Sequence, residues 1–255
     1  MAVALGFANQ TDQATLSGGS WNASYPITNL QNRYLSQKAR TSDDSTGSTT
    51  ISIDLGAVQS IGVVALIATN ISPSASIRIR GADNSSMTSP AYDSGTVEPY
   101  EHTDYAISFD VVEVQYWRID ITDTSNPDGY VEIGRLFIGG RFRPAINVDY
   151  GPTIGVESKT QVQEALNGPE YFDDRVNRRV WKGTWSALTN AEAYRQMLVI
   201  MRGQDVSGEV YFFEDDEDTL YQDQRWFYGR MRSLNAIDWP YLDRHSVGVE
   251  ISELL

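Results

Sequence analysis

Cysteine is absent from this 255-residue chain. That excludes a disulfide framework and any reaction carried by a thiolate. Histidine is nearly absent: His102 and His245 stand far apart, with no cluster of metal ligands or relay partners around either. A zinc centre therefore has too few soft ligands. No G-x-S-x-G, H-E-x-x-H or P-loop motif occurs, and no βαβ pattern with a glycine fingerprint surrounds the apolar run at 61–69. Positive charge is scarce, with 20 basic residues against 34 acidic and a formal charge of −14. This balance opposes a phosphate-backbone binder and an anionic membrane surface. The longest apolar run is far too short to span a bilayer. The opening MAVALGFANQ lacks a basic n-region and an apolar h-region of signal length. These absences predict a soluble protein assembled in the cytoplasm. It should have no catalytic residues, cofactor, bound metal, nucleic-acid partner or membrane insertion. Paired carboxylates for glycoside hydrolysis are the one enzymatic chemistry that so acidic a chain leaves open.

What the chain does have is aromatic β sequence, with 14 tyrosines and 6 tryptophans. The stretch 116–144 organises the reading. Trp117, Ile119 and Ile121 alternate with Arg118, Asp120 and Thr122, the period of a half-buried strand. Asn126-Pro127 and Asp128-Gly129 mark a turn, a second strand follows over 130–139, and Gly139-Gly140 and Pro144 end regular structure. Upstream, alternation predicts strands at 50–55, 76–80 and 105–109, and the continuous apolar run at 61–69 predicts a strand buried on both faces. Residues 1–7 read either as a first strand or as an arm that docks elsewhere. Ile27, Leu30 and Tyr34 suit one face of a single helical turn. Five to seven short strands with almost no helical period predict an antiparallel sandwich or jelly roll over residues 1–143.

The order of these segments resembles the discoidin, or galactose-binding-like, jelly-roll family. The residues that carry the likeness are Trp21 to Pro26, Asn29-Leu30, Ile53-Asp54-Leu55-Gly56, the strand ending in Asn70, Tyr116-Trp117-Arg118-Ile119 and Glu132-Ile133. The resemblance spans roughly residues 10–143. It implies glycan binding through loops at one end of the barrel, with a structural calcium in some members. The family's paired cysteines are missing here. Sugar-contact candidates are the aromatics Trp21, Tyr25, Tyr92 and Tyr100 and the cations Arg118 and Arg135. Against each stands the plainer reading of core packing or a strand-face ion pair. Asp54 reads as a cap for nearby backbone.

Residues 144–255 differ in character. Strands are expected at 146–156, 158–162, 178–185, 209–213, 226–230 and 245–255, with a polar loop at 164–174. One helix is expected over 189–203, capped by Thr189 or Asn190 and carrying an apolar stripe of Tyr194, Met197, Leu198 and Met201. The fold class read from the whole chain is mainly β: a jelly-roll sandwich followed by a β domain with one packed helix. The order Trp181-Lys182-Gly183-Thr184-Trp185, helix, Val210 to Phe213, Phe227 to Arg230, Gly248 to Leu254 resembles the hub domain of phage distal tail and baseplate proteins. That likeness implies a homo-oligomer, a hexameric ring between tail tube and tip. Its partners would be other tail proteins and a cell-surface glycan, and its place the virion tail. The family's usual arrangement puts the hub domain first, the reverse of the order here.

A ring needs two different surfaces on each subunit to match. Arg175, Arg178 and Arg179 offer a basic strip. Glu214 to Asp218 is a run of five acids, of which Asp215, Asp216 and Glu217 suit the matching contact, with Trp181 and Trp226 as its apolar centre. The acids lack the glycine that an EF-hand calcium loop requires, and a solvated hairpin loop is the plainer reading of the run.

Overall fold

The computed structural model describes residues 2–98 and 104–255. Tyr100 and His102, named above, lie outside the described residues. The chain divides into two compact units. One is Gly6–Arg141; the other is Phe142–Leu255 together with the first residues up to Leu5. The chain is mainly β, with a sandwich in the first unit and, in the second, a β region carrying short packed helices.

In Gly6–Arg141 the main sheet runs, in order, Arg135–Phe142, Thr50–Ile67, Tyr105–Thr122, Ser76–Ala82 and Tyr92–Asp93. Thr15–Ser17 pairs with the Thr50 end of its neighbour. Its sequence alternates as the pleat requires: Ile51, Ile53, Trp117, Ile119 and Ile121 point into one core with Val64, Leu66, Ile77, Ile79, Leu136 and Ile138. A smaller layer, Ala39–Arg40 paired with Glu132–Ile133, adds Ala39, Val131 and Ile133 to that core. Leu30 joins it from the 3-10 turn Ile27–Gln31, while Tyr34 stays exposed.

Two expected strand pairs are single long strands here. Thr50–Ile67 continues through Gly56 (φ +74°), and Tyr105–Thr122 runs antiparallel beside it. The register shifts between Asp54 and Gln59 and again between Ile61 and Val63. Three extra residues in Thr50–Ile67 at the first shift and two in Tyr105–Thr122 at the second interrupt the ladder where the sequence suggested a break, and the strands pair on both sides of each.

In the second unit the sheet order is Thr153–Glu157, Arg178–Leu188, Arg244–Glu253, Trp226–Ser233 and Glu209–Phe213. The aromatics are its core. Trp181 packs against Phe212 with ring centres 4.7 Å apart, and the edge of Phe142 meets Trp185 at 5.7 Å.

The expected helix forms as a π-helical half, Ala191–Met197, followed by Leu198–Gln204. Glu192 closes a reciprocal cap with Thr189: the Thr189 N–H donates to Glu192 Oε2 at 2.8 Å, and the Glu192 N–H donates to Thr189 Oγ1. The buried stripe is Ala193, Met197, Ile200 and Met201. Tyr194 and Leu198, expected inside, are exposed, because the inward face runs from 193 and not from 194. A second short helix, Gln222–Arg225, and the strand Asp238–Tyr241 were not foreseen. The expected loop at 164–174 instead contributes a strand to a two-stranded ribbon, Gln161–Glu164 with Glu170–Asp173.

Candidate functional site

In the sandwich unit three neighbouring segments bring a cation between two aromatic rings. The Arg40 N–H donates to the Tyr25 carbonyl at 3.0 Å, and the Asn22 N–H donates to the Arg40 carbonyl at 2.9 Å. On its other side Arg40 is the cross-strand partner of Glu132. This pairing carries the guanidinium over the ring of Tyr25, 4.5 Å from its centre, and over Tyr130 at 4.1 Å. Glu132 accepts from Arg40 Nε at 2.7 Å and from Lys38 Nζ at 3.4 Å. The hydrogen bond to Glu132 raises the pKa of Arg40, a side chain that is always cationic.

The loop that presents Tyr130 is tied down from several directions. Asn126 Nδ2 donates to the Asn70 carbonyl at 3.0 Å, and Asn126 Oδ1 accepts from the Asp128 N–H. Asn70 bridges Asp128 and the Glu132 N–H. Gly129 takes φ +70°, a left-handed turn that favours glycine. Tyr25 is 40% exposed. The result is a rigid surface with an accessible aromatic ring and charged groups of both signs at its rim.

The sequence candidates fall in different places. Tyr25 belongs to this surface. Trp21 bridges to Thr41, donates Nε1–H to the Gly18 carbonyl at 2.9 Å and packs on the core. Tyr92 stacks on Phe109 at 3.9 Å and tilts against Trp117 at 5.9 Å, so its face is covered; burial pushes its hydroxyl up to about 12. Arg118 is held by Asp120 two residues on, at 2.8 Å. Arg135 is 0% exposed, paired with Asp12 at 2.6 Å and donating to the Leu30 carbonyl. Arg135 is thus engaged in the interior, and Tyr92 is half-buried with its ring against Phe109. Asp54 does satisfy local backbone, accepting from the Gly56 N–H at 2.8 Å. Nothing in the sequence marks Arg40, Lys38 and Tyr130; the aromatic-flanked arginine is a signal only once the strands are paired.

The residues assigned to a ring contact are mostly used inside their own unit. Trp181 is wholly buried, and Trp226 is buried with its Nε1–H on the Asp215 carbonyl. Arg179 binds Glu253 and the carbonyl of Trp226. Asp215 accepts from the Ala2 N–H at 2.8 Å. Asp216 and Glu217 both meet Arg143. Arg225 collects Glu214 and Asp218 at 2.8 and 2.7 Å. Arg175 pairs with Asp173, and Arg178 lies opposite Glu157 in the sheet. All five acids of the run thus meet Arg143 or Arg225 within this unit, while Glu217 and Asp218 stay exposed. Among the described residues no group of three or more His, Asp or Glu is placed to hold a metal ion.

No protein-family model matches the chain, and no curated protein does. Solved structures match over 52% of it. SpGH29 is 16% identical with a TM-score of 0.42, over 28% of its own length. A family 89 glycoside hydrolase from Clostridium perfringens is 17% identical with a TM-score of 0.41, over 14% of its length. A fucose-binding module from Streptococcus pneumoniae is 11% identical with a TM-score of 0.43, over 95% of its length. The chain thus spans less than a third of either of the first two, and similarity of this size assigns it no function.

Proposed function

We propose that the sandwich unit is a glycan-contacting module and that the Tyr25–Arg40–Tyr130 stack, with Lys38 and Glu132, is its contact surface. The observation that carries this reading is the fixed stack itself. A sugar offers C–H faces that lie on an aromatic ring and hydroxyls that pair with charged planar groups; Tyr25 supplies the first, and Arg40, Glu132 and Lys38 the second. The hydrogen-bonded loop of Asn126 and Asp128 holds the surface in place before any ligand arrives, which lowers the ordering cost of binding. The test is a glycan array probed with the whole chain displayed multivalently, beside Tyr25→Ala and Tyr130→Ala. A defined sugar class bound by the native chain and lost in both variants is the expected result. No binding across the array, or binding unchanged by both substitutions, overturns it.

A second reading is a ring-forming component of a phage tail tip, located in the virion tail. What favours it is the layout of the second unit, a β sheet with a helix between its strands, together with the apolar residues that this unit leaves exposed. It ranks below the glycan reading because Trp181, Trp226 and Asp215 of the expected ring contact are buried within one subunit and Arg175, Arg179, Asp216 and Glu217 pair there. The native mass tests it: six or more copies support a ring, and one or two do not.

A further inference from the structure

Two surfaces of the second unit are unpartnered and opposite in character. The first is the ribbon Gln161–Glu164 with Glu170–Asp173. Val162 stands opposite Phe172, and they are 56% and 60% exposed; Leu166 at the tip is fully exposed. On the same face Glu164 stands directly opposite Glu170, and neither carboxylate has a cationic partner among the described residues. A lone two-stranded ribbon is marginal in water, and like charges directly opposite weaken it further. This ribbon gains by lying on something apolar and basic.

The second surface is the outer side of the helical segments Ala191–Met197 and Leu198–Gln204. Leu198 and Val199 are exposed there between Arg195 and Arg202, and Tyr194, whose ring edge meets His245 at 4.8 Å, is half exposed beside Arg195. Neither arginine has a carboxylate partner among the described residues. The only nearby acid of the first turn, Glu192, is occupied by the cap and by the Ala145 N–H. Seven residues of helix set the two arginines about 10 Å apart along the axis, a span that long Arg and Glu side chains bridge.

We infer that the occupant of each surface is the other surface on a second copy of this chain. The ribbon of one copy lies along the helix of the next, Val162 and Phe172 against Tyr194, Leu198 and Val199, with Glu164 and Glu170 facing Arg195 and Arg202. Charge complementarity chooses the partner: the chain carries both halves of the contact, one acidic and one basic, each with an apolar centre. Such a contact is head-to-tail, so it closes into a ring or continues as a filament. It is independent of the glycan reading and deepens the ring reading by naming a contact for it: an oligomer that both variants below retain would sink this contact and leave that reading standing.

The experiment is native mass spectrometry and light scattering on the full chain at low and at physiological salt. Two variants are compared, Glu164→Arg/Glu170→Arg and Arg195→Glu/Arg202→Glu, with circular dichroism confirming that each is folded. The native chain should oligomerise, each variant alone should be monomeric, and mixing the two variants should restore oligomers, because each reversed surface then meets its opposite. A native chain that stays monomeric at high micromolar concentration overturns the inference. So does an oligomer that both variants retain, or a mixture that fails to reassemble.

Discussion

Gly81 lies directly across the strand pair from Trp117, and a Cβ placed on it would sit 2.9 Å from the indole Cη2 and 3.0 Å from Cζ2. The tryptophan is fully buried among the isoleucines of the sandwich, so the ring has no space to retreat into.

Gly81→Ala should therefore cost about 1–3 kcal/mol, the usual range for overpacking a filled core. Trp117→Phe removes the ring atoms that clash, so the double variant should lose less than the two single losses added together. Denaturant titrations of the four proteins, followed by far-ultraviolet circular dichroism, measure this. Simple additivity would show that the glycine is needed for some other reason.

The Arg135–Asp12 pair is asymmetric: the guanidinium is wholly buried, whereas the carboxylate reaches water. Asp12→Asn leaves the buried charge under-compensated and should cost about 3 kcal/mol. Arg135→Met removes that charge, and the remaining carboxylate can hydrate, although the Leu30 carbonyl loses a donor. Adding Arg135→Met to Asp12→Asn should consequently recover part of the loss. Melting temperatures of the cycle check it; a double variant less stable than Asp12→Asn contradicts the account.

Asp120 predicts a pH dependence. Burial raises its pKa, but hydrogen bonds and charge from Arg80 and Arg118 outweigh that and leave it below the ordinary carboxylate value. A folded-state pKa below the unfolded one gives stability that is complete above the unfolded pKa. It is lost as pH falls through the folded value. The melting-temperature gap between the native chain and Asp120→Asn should hold constant from pH 7 down to about 5 and narrow below about 4. A gap that widens in acid would refute the assignment.

Much of the fold was legible because its signals are local. Alternation at Ile51, Ile53 and Leu55 and at Trp117, Ile119 and Ile121 marks an inward face without reference to any distant residue. The Thr189–Glu192 cap lies within one turn and could be read the same way. The inward face of the helix was missed by one position, since Tyr194 and Leu198 share a near-helical spacing with residues that are buried and differ only in what lies opposite them. Of the contact surface proposed for glycans, only Tyr25 stands out in the sequence as a sugar-contact candidate. Arg40 and Tyr130 have nothing in their own neighbourhoods to set them apart; strand pairing brings them together.

What the sequence by itself determined is the pattern of faces: which residues of each strand turn inward, where glycine and proline turn the chain, and which chemistries lack the residues to occur. Only the tertiary structure decided which charges meet. Arg143 and Arg225 gather the acids at 214–218, Asp12 reaches Arg135, and Glu132 holds Arg40 between two rings. The reason is physical. Burial follows a short-range period written along the chain, whereas an ion pair needs only that two long side chains arrive within a few ångströms. In so acidic a chain nearly every arginine has several carboxylates that would serve, and the packed strands choose among them.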